Sequence, residues 1–82
     1  MSESLKVYVV YQYDDYTKGG NNSKVVGVYK IRKDGEIVMK ASAEDYINKN
    51  LFWSMGSHTK NFVNITNGED YKVFVIEKSY LY

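Results

Sequence analysis

The chain has no cysteine, one histidine, one arginine and no long hydrophobic run among its 82 residues. Each shortage excludes something. Without cysteine no disulfide forms, which fits a reducing compartment. The single histidine, His58, sits in "SHTK" (residues 57–60), so there is no H-x-x-x-H pair and no C-x-x-C framework for a metal or an activated nucleophile. The start, "MSESLKVYVV", lacks the basic-then-apolar pattern of a signal peptide. No apolar run approaches the ~20 residues that span a bilayer. A soluble, cytoplasmic protein without membrane contact is the expectation.

Strong charge of either sign is missing too. The net charge is +1, which argues against both a strongly electrostatic nucleic-acid binder and an acidic mimic of one. Charge is concentrated over residues 24–40, where Lys24, Lys30, Arg32, Lys33 and Lys40 face only Asp34 and Glu36. Arg32 stands alone among lysines, and arginine is the preferred fork for phosphate or guanine.

What the chain does have is β-branched and aromatic residues, with nine tyrosines. Residues 5–13, "LKVYVVYQY", read as a strand. The segment 14–23, "DDYTKGGNNS", reads as a loop of turn formers, and 24–33, "KVVGVYKIRK", as a second strand. Asp34-Gly35 then predicts a tight hairpin turn into a third strand, 36–41. Ser42 with Asp45 resembles a capping box, opening a helix over 43–55 that stops at Gly56. A short strand over 61–66, a turn at Asn67-Gly68 and a last strand over 70–78 complete the order βββαββ. The expectation is one α+β domain: a mostly antiparallel five-stranded sheet with one helix on one face.

One helix covers one face, yet both faces of the first strand are apolar or aromatic. Leu5, Val7, Val9, Tyr11 and Tyr13 form one set, placed here beneath the helix; Lys6, Tyr8, Val10 and Gln12 form the other. On the second strand Val26 and Val28 fall together with Lys24, Lys30 and Arg32. An uncovered antiparallel face should be polar, so an apolar one points to a covering partner or a second subunit. The predicted partner surface is Tyr8, Val10, Val26 and Val28, with Asp14, Asp15 and Tyr16 from the adjoining loop. Phe74 and Ile76 of the last strand lie on that same expected face. Trp53, near the helix end, is read as core.

No spacing singles out an acid–base pair, and no cofactor or metal site is expected; Asp14 and Asp15 read as turn residues and His58 as a loop histidine. "GVYKI" (27–31) matches the opening of GIY-YIG nucleases over five residues only, and the second element is missing. Nucleic acid is the alternative partner, tracked by Tyr8, Lys24, Lys30 and Arg32 with base stacking on tyrosine.

In composition and layout the chain resembles the small accessory proteins encoded by bacteriophages: short, rich in Lys, Asn and Tyr, and free of Cys and Pro. The resemblance implies a non-catalytic protein that binds a host protein in the host cytoplasm and inhibits or modulates it.

Overall fold

A computed structural model of the chain describes residues 5–15 and 21–81. Its elements are β1 (Leu5–Asp15), β2 (Asn21–Tyr29), α1 (Arg32–Lys49), β3 (Ser54–His58), β4 (Phe62–Thr66) and β5 (Tyr71–Leu81). The strands form one sheet in the order β2-β1-β5-β4-β3, antiparallel throughout. First and last strands pair along all eleven residues of each. The class is therefore α+β, a five-stranded antiparallel sheet with one helix, as the sequence implies.

The order of elements is ββαβββ, and the middle of the chain departs from the sequence reading. Residues 36–41 lie inside α1, and the strand missing there is supplied by Ser54–His58. The tract "EIVMKA" suits either period, and the Asp-Gly pair ahead of it favours a hairpin on local grounds. In the fold both residues serve the helix. Asp34 lies in its first turn, where a carboxylate faces the positive end of the helix dipole. At Gly35 the helix lies tight against the sheet: a Cβ there would lie 2.6 Å from Ile76 Cδ1. Gly35, Met39 and Ala43 recur every four residues and are the buried positions of α1, a narrow stripe of mostly small residues. Ser42, expected as a cap, is in mid-helix. Asn50 caps the far end, its Nδ2 donating to Tyr46 O at 2.9 Å.

The core lies between α1 and one sheet face. It holds Val10, Met39, Ala43, Val63, Ile65, Phe74 and Ile76, with Tyr8, Val26, Tyr29, Tyr46, Ile47 and Trp53 packed around it. The helix thus covers the even-numbered face of β1, the reverse of the expected arrangement. Both sets are apolar, so alternation alone does not say which one the helix takes.

A bulge in β2 breaks the expected pattern further. Val10 pairs with Gly27 but Tyr11 pairs with Val25, so Val26 is the extra residue. Val26 packs on the core while Val28, paired with Val9, lies on the other face. Two hairpin turns are locked by side chains. Thr59 Oγ1 accepts from the backbone N–H of Asn61 and Phe62. Asn67 Oδ1 accepts from those of Glu69 and Asp70, and Gly68 takes φ 99°. The second turn is the Asn-Gly hairpin the sequence predicts, widened to four residues between Thr66 and Tyr71. No helix among the described residues is long and apolar enough to cross a membrane.

Candidate interaction surface

The sheet face turned away from α1 is the surface with the clearest functional character. Strand alternation and register place on it Val7, Val9, Tyr11 and Tyr13 of β1, Val25 and Val28 of β2, and Val73 and Val75 of β5. Phe62 of β4, paired with Val75, extends the patch. Val7 and Val9 are buried at its centre, while Tyr13, Val25 and Val28 are 40%, 55% and 54% exposed. Tyr11 and Tyr13 stack on each other, ring centroids 6.1 Å apart at 29°. Nothing in α1 reaches this side.

Charge is distributed as unevenly as apolar area. Register puts the strand lysines Lys6, Lys24, Lys72 and Lys78 on the helix side. The open face carries Asp15 and Glu77 and, among the described strand residues, no cation. Exposed apolar and aromatic side chains such as Tyr13, Val25 and Val28 on the outer face of an antiparallel sheet are out of pattern. Aromatic and aliphatic side chains depleted of lysine make up the centre of protein interfaces.

The expected partner residues divide. Val28 and Asp15 belong to the open face. Val10 does not: it is 0% exposed beneath the helix, so it cannot meet a partner. Tyr8 and Val26 are half-buried against the same core. Tyr16 lies outside the described residues, and the expected loop 14–23 is shorter, since β1 continues to Asp15 and β2 begins at Asn21. Phe74 and Ile76 are core. Tyr11, Tyr13 and Val25 take the places these residues vacate. Tyr11 and Tyr13 belong to the set expected beneath the helix, and the structure puts that set on the open face.

Asp14 has another role. Its Oδ1 lies 2.8 Å from Lys72 Nζ, and the two side chains are 14% and 4% exposed. Gln12 Nε2 donates to the same oxygen at 2.9 Å. The ammonium of Lys72 sits 4.7 Å from the Tyr46 ring centroid and 6.0 Å from that of Trp53, and these two rings meet edge to face. Trp53 is thus partly buried against the core, as read from sequence. Nothing in the sequence marks Lys72, because a lysine in an alternating strand ordinarily faces solvent.

The residues proposed for nucleic acid are not assembled. Tyr8 and Lys24 are on the helix side, and Lys30 follows β2 in a bend. Arg32 opens α1, where its guanidinium binds Glu36 at 2.9 Å, Asn61 Oδ1 at 2.7 Å and Lys60 O at 3.1 Å. It ties the helix start to the β3–β4 turn. His58 is exposed on β3. Among the described residues no three His, Asp or Glu side chains gather as a metal site would require. Compared with known proteins, the chain matches no family model, no curated protein and no solved structure.

Proposed function

We propose that the protein is a small non-catalytic binding module that acts by occupying the surface of a protein partner and so inhibits or modulates it. The observation that supports this reading is the open sheet face, apolar and aromatic across three adjacent strands and without a strand lysine. Its contact residues are Tyr11, Tyr13, Val25, Val28 and Val73, with Asp15 at the rim. The resemblance to bacteriophage accessory proteins makes a host cytoplasmic protein the partner of choice.

The cation-poor face disfavours nucleic acid, whose backbone contacts need lysine or arginine. The test is capture of partners from the lysate of the cell in which the protein acts, with and without nuclease. Wild type should retain a protein partner after nuclease treatment, and Tyr11→Lys/Val28→Lys should lose it. A catch that vanishes with nuclease overturns the reading.

A further inference from the structure

Asp15, the last residue of β1, pairs directly with Tyr71, the first of β5, and Tyr13 pairs with Val73. All four lie on the open sheet face. Directly paired side chains stand about 5 Å apart at Cβ, and diagonal positions about 7–8 Å apart. Asp15, Tyr13 and Tyr71 therefore form a corner, one carboxylate beside two aromatic rings. Both rings meet solvent, Tyr13 at 40% and Tyr71 at 44% exposure. A cleft of about 310 Å³ opens beside Tyr13 and Asp15, lined also by Asp14, Asn22 and Ser23.

The charge at this corner is acidic. Among the described residues no cation pairs with Asp15. Asp14 is turned to the helix side and held by Lys72 and Gln12. Lys6, Lys24 and Lys78 are on the helix side by register, and Lys30 follows the opposite end of β2. Lys49 of α1 pairs with Asp45. The β4–β5 turn that leads into Tyr71 adds Glu69 and Asp70 and no cation. Lys18 falls in 16–20, outside the described residues.

The helix side of the same strand pair shows what such a set holds. There Asp14 and the rings of Tyr46 and Trp53 surround the ammonium of Lys72, 2.8 Å from the carboxylate and 4.7 Å from the Tyr46 centroid. The open side repeats the set, a carboxylate with two rings, and no described residue of the chain brings the cation. We infer that the protein partner of the open face supplies it: an arginine side chain seated on Asp15, Tyr13 and Tyr71, with apolar neighbours on Tyr11, Val73 and Val75. Arginine fits better than lysine, because its planar guanidinium stacks on a ring while forking onto a carboxylate. A second copy presenting the same face would bring Asp15 and Glu77 instead of a cation. The inference rests on the open-face reading and names the chemistry that the partner must carry. One exposed ion pair beside an apolar contact adds only a shallow salt dependence.

A library of random displayed peptides, sorted on the full chain, tests this. Peptides selected by wild type should join apolar residues to an arginine enriched over the input library. In the tightest peptide, citrulline in place of that arginine keeps its shape and removes its charge, and should weaken binding about fivefold by fluorescence anisotropy. Asp15→Asn should weaken it as much, and the two changes together no more than either alone. Tyr71→Val keeps the strand and removes a ring, so it should weaken the arginine peptide more than the citrulline one. Lys18→Ala should leave the selection unchanged. Circular dichroism confirms that the variants are folded. Selected peptides without arginine, or a citrulline effect that persists in full on Asp15→Asn, overturn the inference. So does arginine enrichment found only with Lys18→Ala, since the chain would then fill its own corner. Self-association of the full chain that Asp15→Asn abolishes would make the occupant a second copy and overturns it too. Peptides that require Tyr11 and Val28 but carry no arginine sink this inference alone. Peptides that bind Tyr11→Lys/Val28→Lys as well as wild type sink the open-face reading with it.

Discussion

Asp14 and Lys72 face each other across the central strand pair as direct register partners, and their side chains close a buried ion pair at 2.8 Å. A shift of β5 by one residue against β1 would move Lys72 to the open face and leave Asp14 opposite an apolar side chain. The pair, enclosed by Tyr46 and Trp53, thereby fixes the register that decides which sheet face is left uncovered.

Asp14→Ala removes the carboxylate facing a buried ammonium. It should destabilise the fold by about 3 kcal/mol, read as a lower urea midpoint with unchanged slope. Replacing both partners, Asp14→Leu with Lys72→Met, should recover most of that loss, since an apolar pair carries no uncompensated charge. If the double replacement is as unstable as Asp14→Ala, the ion pair is not the source of the effect.

Gly35→Leu improves helix propensity by up to roughly 1 kcal/mol but drives a side chain into Ile76, where even a Cβ would come within 2.6 Å of Cδ1. Overpacking should win, with a net loss of about 1–3 kcal/mol in thermal or urea unfolding. A stabilised Gly35→Leu would mean that α1 does not approach the sheet here.

Val10 and Val28 report which face is covered. Val10→Lys places an unpaired charge in the core and should leave the chain unfolded or molten by circular dichroism. Val28→Lys should stay within about 0.5 kcal/mol of wild type. The opposite outcome would restore the arrangement in which the helix lies over Val7 and Val9.

These tests bear on the parts of the molecule that sequence alone does not decide. Strands β1, β2, β4 and β5, the Asn67-Gly68 hairpin and the α+β class follow from alternation and turn chemistry, which are local. Two failures come from a tie between local signals. Residues 34–41 fit a hairpin or a helix, and close packing of Gly35 against Ile76, a long-range contact, settles it. The two faces of β1 are equally apolar, so the choice waits on where α1 lies. The bulge at Val26 then separates Val26 from Val28, because one inserted residue reverses the alternation beyond it. The burial of Lys72 depends on rings from the helix and its exit, and nothing in its own strand announces them.

The central claim is that the open sheet face binds a protein. The most direct measurement is capture from nuclease-treated lysate at low and high salt, comparing wild type with Tyr11→Lys/Val28→Lys after both are shown to be folded. The account predicts a partner that wild type holds at both salt concentrations and the variant does not hold at either. A partner retained equally by both chains, or binding that disappears with nuclease or falls steeply with salt, would contradict it.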